Sequence, residues 1–184
     1  MTPFQLRRTI RILRRGGIVA YPTEAVWGLG CDPLNGAAIA RLLALKQRVA
    51  GKGLILIAHE LAVLRPFLAP LPTRLEQRLR ATWPGPVTWL LPAAAELPAR
   101  LSGGRSTLAV RVTAHPLAAA LCRELGAPLV STSANPSARK PARSALRVRR
   151  YFGPRIDALL PGATGGLARP TEIRDAATGK VLRR

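Results

Sequence analysis

An α/β fold is the fold class that this sequence predicts, and three observations support the prediction. Helical and strand patterns alternate along the chain, and one strand pattern is continuously apolar, which is typical of a strand buried on both faces. Apolar residues make up 48% of the 184 residues, which is enough for a hydrophobic core. Since domains span roughly 100–200 residues, we expect a single domain over residues 1–184.

The first element is a helix with signals at both ends. Thr2 suits the N-cap, Pro3 suits the first helical position, and Gln5 completes a capping box. Apolar residues recur on one face, and the pair Gly16-Gly17 ends the helix. A short buried strand follows over residues 18–21.

The later elements follow from the same patterns. A glycine-punctuated loop leads to a second helix, which we expect to begin at Asp32-Pro33 and to end near residues 46–48. Residues 53–58 form the continuously apolar strand. The remaining predictions are helices around 60–69 and 72–82, strands over 87–91 and 108–112, a helix over 116–125, a strand over 128–131, a helix over 144–152, and short strands near 156–160, 171–174 and 181–182.

The chain is strongly basic. Lys and Arg total 29 against 9 Asp and Glu, which gives a formal net charge of +20. Such a field attracts polyanions, so it favours nucleic acid or nucleotide phosphate as a partner. No carboxylate lies between Glu124 and Asp157, a segment whose basic residues include Arg143, Arg147, Arg149 and Arg150. This run predicts either a surface that faces RNA or a solvated charged face.

The compartment follows from the cysteines and from the apolar segments. Cys31 and Cys122 lie outside any CxxC or metal-ligand spacing, so we expect both to be reduced and buried, and we expect no metal cluster. The N-terminal region lacks the apolar segment of a secretory signal, and no apolar run approaches the ~20 residues that span a bilayer. We therefore expect a cytoplasmic protein without membrane association.

Residues 21–30 leave the first strand with Thr23, Trp27 and two glycines in a short span. Because glycine lets a backbone approach a ligand closely, the segment predicts either a ligand-binding loop or a tight structural turn. It is not a common phosphate-binding loop, since the chain contains neither GxxxxGK[ST] nor GxGxxG after a strand.

Two further groups of polar residues end predicted elements. Lys46 and Arg48 come at the C-terminus of the second helix, where they either complement the helix dipole or clamp a phosphate. Ser131, Ser133 and Asn135 end an apolar strand, and ligand sites of α/β folds gather at strand ends. The second group favours a small-molecule pocket over a simple polar turn.

Arg111 lies within an apolar strand. A buried guanidinium needs an anion, because an unpaired buried charge is very costly. Its partner is either an internal carboxylate or the carboxylate of a substrate. With only 9 acidic residues in the chain, the substrate gains weight.

Five motifs, in order along the chain, resemble those of the YrdC-like family, the threonylcarbamoyl-AMP synthases: Tyr-Pro-Thr-Glu-Ala-Val-Trp-Gly-Leu-Gly, Lys-Gln-Arg, Trp-Pro-Gly-Pro-Val-Thr, Ala-Val-Arg-Val-Thr-Ala-His-Pro and Ser-Thr-Ser-Ala-Asn. The chain is most similar in length to the single-domain bacterial members. The resemblance implies an open, twisted mixed sheet flanked by helices around a deep basic cavity.

The resemblance also implies a reaction and its partners. L-threonine, bicarbonate and ATP give threonylcarbamoyl-AMP and pyrophosphate, which makes the enzyme a nucleotidyltransferase. Mg²⁺ is expected to accompany the ATP. A tRNA threonylcarbamoyl transferase complex then passes the group to the adenosine beside the anticodon, so tRNA or double-stranded RNA is an expected partner.

The resemblance assigns residues to each role. The expected residues are Thr23, Arg111, Ser131 and Thr171 for threonine, Lys46, Arg48, Thr107, Ser133 and Arg183 for ATP, Lys46, Arg48, Ser133 and Asn135 for catalysis, and Arg143, Arg147, Arg149 and Arg150 for RNA. Attack of a threonine carbamate on the α-phosphorus needs positioning and charge neutralisation rather than a protein nucleophile.

The sequence departs from this family at two places. Ile57 stands where longer relatives carry a histidine, and Pro170-Thr171 replaces a serine-containing pair. The alternative function is a non-catalytic RNA-binding factor in tRNA or ribosome maturation, which the charge supports equally. The embedded Arg111 and the hydroxyl-rich segment 131–135 favour the enzyme, since a phosphate-only binder needs neither.

Overall fold

The computed structural model describes residues 2–48, 51 and 53–183. Within them, helices and strands follow one another in the order α1 (Pro3–Arg14), β1 (Val19–Pro22), β2 (Trp27–Gly30), α2 (Gly36–Lys46), β3 (Ile55–Ala58), α3 (Leu61–Leu64), α4 (Thr73–Arg80), β4 (Val87–Pro92), α5 (Ala99–Ser102), β5 (Thr107–Val112), α6 (Pro116–Leu125), β6 (Leu129–Ser133), α7 (Ala145–Phe152), β7 (Ala158–Leu159), β8 (Glu172–Asp175) and β9 (Val181–Arg183). Short 3-10 helices follow α3 at Arg65–Phe67 and α7 at Gly153–Arg155. The predicted alternation of helices and strands is confirmed.

The strands of the described residues form one sheet in the order β7-β1-β2-β6-β3-β5-β4-β8-β9. The pairs β1–β7, β3–β5 and β4–β8 are parallel, and the other neighbours are antiparallel. The sheet ends at two different strands, so it is open. The expected open mixed sheet flanked by helices is therefore confirmed.

Each face of the sheet packs against its own hydrophobic cluster, because successive residues of a strand point to opposite faces. Val19 and Tyr21 belong to a cluster with α1 and α6, whereas Ile18 and Ala20 belong to a larger cluster with α2 and α7. Ile57 is fully buried in the first of these clusters. The position where longer relatives carry a histidine is thus a core position in this chain.

Helices cover only part of the face that carries α1 and α6. Helix α1 packs against β1 and β7, and α6 packs against β1 and β3. The strand register places Ile55, Ala109 and Leu90 side by side on this face, on the neighbouring strands β3, β5 and β4. These three residues line a cavity. The uncovered part of the sheet is therefore the floor of that cavity.

Two helices differ from the prediction. Helix α2 begins at Gly36 rather than at Asp32, because the side chain of Asn35 accepts the hydrogen bond that caps it. The helix expected around residues 60–69 is only the short α3 followed by a 3-10 turn, since Pro66 lacks a backbone N–H.

The structure also describes both cysteines, the length of the helices relative to a bilayer, and the grouping of possible metal ligands. Cys31 and Cys122 are buried free thiols, and burial raises the pKa of both to about 12. Among the residues that the structure describes, no helix is long and apolar enough to cross a bilayer. The same part of the chain contains no group of three or more His, Cys, Asp or Glu side chains that could hold a metal ion.

Candidate active site

A cavity of about 490 Å³ lies on the uncovered part of the sheet. This volume is within the range of small-molecule sites, about 300–1,000 Å³. The polar lining residues are four arginines and seven hydroxyl residues: Arg48, Arg105, Arg111, Arg183, Thr23, Ser102, Thr107, Ser131, Thr132, Ser133 and Thr171. The fold thus brings together all the predicted substrate residues except Lys46 and Asn135, which are not among the lining residues.

Arg111 is buried at the back of this cavity, where only 4% of the residue is exposed. Its Nη1 donates to Thr171 Oγ1 at 2.9 Å and to Thr88 Oγ1 at 3.3 Å, and its Nη2 donates to Glu24 Oε2 at 3.3 Å. Its buried Nε has no hydrogen-bond partner among the described residues. An internal carboxylate therefore pairs with Arg111, and the guanidinium still reaches the cavity.

Glu24 is held by more than this ion pair. Its Oε1 accepts hydrogen bonds from Thr113 Oγ1 at 2.7 Å and from the Ala114 N–H at 3.2 Å. Burial alone would raise the pKa of the carboxyl. The charge of Arg111 and these hydrogen bonds lower it by more than burial raises it, so the pKa lies below its usual value. Glu24 is therefore ionised at neutral pH. The sequence contained no signal for this role, because the partner lies on a distant strand.

The segment after β1 forms both the turn and the cavity wall that the sequence left as alternatives. The Thr23 N–H and Oγ1 both donate to Val26 O, at 3.1 Å and 2.6 Å, and this turn joins β1 to β2. Strand β2 was expected as a loop, which is wrong. A Cβ at Gly30 would lie 2.5 Å from Val130 O and 2.9 Å from the Tyr21 ring. The glycine is needed for close strand packing rather than for loop flexibility.

Lys46 and Arg48 point to different places because the backbone turns between them. Gln47, the C-cap of α2, is in the left-handed conformation with φ 52°. Lys46 is only 4% exposed, and its Nζ donates to the carbonyl oxygens of Ser133 and, at 2.8 Å, of Asn135. Arg48 lines the cavity instead, where its Nη2 donates to Gly53 O at 2.8 Å.

Asn135 holds the loop that follows β6. Its Nδ2 donates to Arg139 O at 2.7 Å and to Pro136 O at 3.0 Å. The Ser137 N–H donates to Lys46 O at 2.8 Å, so the end of α2 and this loop are joined by side chain and backbone. Lys46 and Asn135 thus fix the segment that carries Ser133.

The electrostatics around Arg48 and Arg183 favour an anionic ligand. Arg183 donates to Thr171 O at 3.0 Å, and burial together with the charges of Arg111 and Arg48 lowers the pKa of its guanidinium. Burial also lowers the pKa of Arg48. Guanidiniums that depress one another's protonation are stabilised when an anion enters between them.

Sequence reasoning missed Arg105 and an apolar wall. Arg105 lines the cavity, and its Nη2 donates to Gly51 O at 3.3 Å. It lies in a loop with no motif, so no local pattern distinguishes it from the other arginines. The apolar part of the lining consists mainly of Leu54, Ile55, Leu90, Leu101, Ile173 and Leu182.

The arginines predicted to meet RNA lie on or next to α7, outside the cavity lining, and all four are exposed. Arg143 donates to the carbonyl oxygens of Leu167, at 3.3 Å, and Ala168. The guanidinium of Arg147 lies 5.6 Å from the centre of the Tyr151 ring. None of the four lines the cavity, so the structure does not join them to it.

A family comparison fits this architecture. The Sua5/YciO/YrdC family model, described as "Telomere recombination", matches residues 11–184. The chain belongs to the Sua5/YciO/YrdC family. Among its Sua5/YciO/YrdC relatives, the threonylcarbamoyl-AMP synthase of Halorhodospira halophila is 64% identical over 182 residues, which cover 99% of this chain and 95% of the relative. That of Nitrosococcus oceani is 57% identical and covers 98% and 97%.

Solved Sua5/YciO/YrdC structures have the same fold. P. abyssi Sua5 complexed with L-threonine superposes with a TM-score of 0.93 at 30% identity over 100% of this chain. This chain spans only about half of that protein, since the match covers 54% of it. E. coli YciO gives a TM-score of 0.82 at 27% identity and covers 97% of this chain and 88% of the other.

Lys46 should make the stability of this family member depend on pH. Burial, and secondarily the charge of Arg48, lowers its pKa from 10.5 to about 8, so between these values the unfolded chain binds more protons than the folded chain. The contribution of Lys46 to the free energy of unfolding should therefore rise with pH between 8 and 10.5 and stay constant below pH 8. Urea unfolding of the wild type and of Lys46→Met measures it, because the variant lacks the group. The stability difference, wild type minus variant, should grow over this interval. If the stabilities of the two proteins change with pH in parallel, the pKa of Lys46 is not lowered by folding.

Proposed function

We propose that this chain is a threonylcarbamoyl-AMP synthase, which makes the adenylate from L-threonine, bicarbonate and ATP with release of pyrophosphate. The observation that supports it most is the convergence of Arg48, Arg111 and Arg183 on one cavity of the sheet. Both named relatives above, at 64% and 57% identity, are threonylcarbamoyl-AMP synthases. Transfer of the adenylyl group makes the enzyme a nucleotidyltransferase.

The amino-acid end of the cavity lies around Arg111. Arg111 lines the cavity and offers its charge to the carboxylate of threonine, while Glu24 and the two threonines orient the guanidinium. Thr23, Ser131 and Thr171 supply hydroxyls along the same wall. The complex of P. abyssi Sua5 with L-threonine supports this assignment.

The nucleotide end lies around Arg48 and Arg183. Guanidinium groups suit phosphate, because they donate paired hydrogen bonds in a fixed plane. Thr107 and Ser133 line the same cavity, and we add Arg105 to this group. Lys46 and Asn135 contribute by holding the backbone that carries Ser133.

The chemical step depends on placement. Threonine and bicarbonate condense to a carbamate with loss of water. A carbamate oxygen then bonds to the α-phosphorus of ATP while the bond to the bridging oxygen breaks, and pyrophosphate leaves from the opposite side. Arginines along the phosphates neutralise the charge of the leaving group, and the rigid strands hold the two reactants together.

Mg²⁺ fits this site as an ion carried on the phosphates. The lining residues of the described chain provide hydroxyls but no carboxylate, and carboxylates are the side chains that usually hold Mg²⁺ in ATP sites. When bound, the ion would neutralise phosphate charge. The phosphates of ATP, rather than a cluster of described side chains, would hold the ion.

The product of this reaction is used in tRNA modification. We propose that a threonylcarbamoyl transferase complex uses it in the cytoplasm, and that Arg143, Arg147, Arg149 and Arg150 form an RNA-facing surface. The nine described strands belong to one sheet, which supports a single domain over residues 1–184. A non-catalytic RNA-binding factor is the competing function, favoured by the net charge of +20.

Pyrophosphate release by purified protein tests the proposal. Release should require ATP, L-threonine and bicarbonate together. Arg48→Ala should lower kcat/KM for ATP by about tenfold or more, because a hydrogen bond to a charged group is worth about 1.5–3 kcal/mol. Arg74→Ala removes an exposed arginine of α4 that does not line the cavity, so it should change little. If folded wild-type protein releases no pyrophosphate, the synthase is excluded and the RNA-binding factor is favoured.

The RNA surface should be visible in the salt dependence of tRNA binding. Replacing Arg147, Arg149 and Arg150 with Ala should reduce the slope of log K against log salt by up to about 3, since each phosphate contact contributes roughly 0.9. Pyrophosphate release should stay at the wild-type rate. A charge-matched control replaces exposed Arg74, Arg80 and Arg123. Equal flattening in this control would show that total charge, not α7, binds the RNA.

A further inference from the structure

We infer that Glu24 is a specificity-determining residue, which makes the amino-acid end of the cavity select a zwitterion over an anion that carries only a carboxylate. The inference rests on the proposed function, because that function places the amino-acid substrate at Arg111. Glu24 is a positioning residue in this scheme. It is not among the residues that line the cavity, so it orients Arg111 and its charge acts on the ligand from behind that guanidinium, without contact.

The side chain of Glu24 is fixed behind the cavity wall. The residue is 6% exposed, and its two oxygens accept three hydrogen bonds from the end of β5 and the segment after it. One of the donors is the guanidinium of Arg111, and the other two belong to Thr113 and Ala114. A carboxylate with this many fixed donors keeps its place when a ligand enters.

The backbone of Glu24 is fixed from the other side. Its carbonyl oxygen accepts from the Leu167 N–H at 3.1 Å, and the neighbouring Thr23 O accepts from the Gly165 N–H at 3.0 Å. A Cβ at Gly165 would lie 3.0 Å from Glu24 O, so these two segments are in direct contact. The negative charge is therefore a permanent part of the wall behind Arg111.

This arrangement balances the charge of Arg111 before any ligand binds. Its other side-chain partners, Thr88 and Thr171, are neutral hydroxyls, so Glu24 supplies the counter-charge. The carboxylate of a ligand at Arg111 is attracted by the guanidinium and repelled by Glu24. An ammonium on the same ligand is instead attracted by Glu24. Arg111 repels this ammonium, so the charge of Glu24 is what shifts the balance toward a ligand with both groups.

Two ligands of the same carbon skeleton distinguish this role from a structural one. L-threonine carries the ammonium, and 3-hydroxybutyrate lacks it. Calorimetric titration should show that the wild type binds L-threonine at least about tenfold more tightly, a difference of about 1.4 kcal/mol. In Glu24→Gln, which keeps the size of the side chain but not its charge, L-threonine should bind more weakly and 3-hydroxybutyrate equally or more tightly. The affinity ratio should therefore fall by about tenfold.

Two further variants control for charge and for folding. Glu24→Asp keeps the charge and should keep most of the selectivity. Glu60→Gln removes one negative charge from an exposed side chain and should leave the ratio unchanged. ATP titration of each variant shows whether the cavity is folded.

The outcomes separate this inference from the proposed function. Proportional weakening of both ligands in Glu24→Gln would mean that Glu24 only supports the fold, which overturns the inference. So would a wild type that binds 3-hydroxybutyrate as tightly as L-threonine, whatever the variants do. If the wild type binds no L-threonine and releases no pyrophosphate, the proposed function itself fails.

Discussion

The buried ion pair between Arg111 and Glu24 is the interaction on which the cavity depends. In the sheet, β1 and β5 are separated by β2, β6 and β3, and the pair joins the turn after β1 to β5 across them. Burying two charges is costly unless each one is fully hydrogen-bonded. The hydroxyls of Thr88, Thr113 and Thr171 supply most of these hydrogen bonds, and only the Nε of Arg111 has no partner among the described residues. Loss of either charge would leave the other one buried without its partner, so the pair fixes both the wall and the floor of the site.

Strand register explains why this pair lies beside an open cavity. Arg111 and Ile57 face each other across β3 and β5, and Ala109 and Ile55 do so one step further along. Helix α6 covers the Ile57 end, whereas the Ile55 end borders the cavity. The same face of one strand pair is therefore core at one end and binding surface at the other. Rigid strands hold the site, which suits chemistry that depends on the placement of two reactants.

Local signals in the sequence predicted much of the fold but less of the site. The capping box of α1 and the Ser144 cap of α7 lie within a few residues of the helices that they begin, so both helices were predictable. Strand β2 was missed because one of its glycines, Gly30, is required by close packing against Val130, which is remote in the sequence. Arg111 was recognised as a buried charge, but its partner Glu24 could not be identified, since no local pattern connects two residues that meet only after the sheet has formed.

The left-handed backbone at Gln47 gives the two cations beside it different tasks. Arg48 lies on one side of this residue, and Lys46, bonded to the carbonyl oxygens of Ser133 and Asn135, lies on the other. The charge of Arg48 therefore faces the ligand, whereas the charge of Lys46 holds the backbone that carries Ser133. One segment of three residues thus supplies both a binding group and the support of a neighbouring strand end.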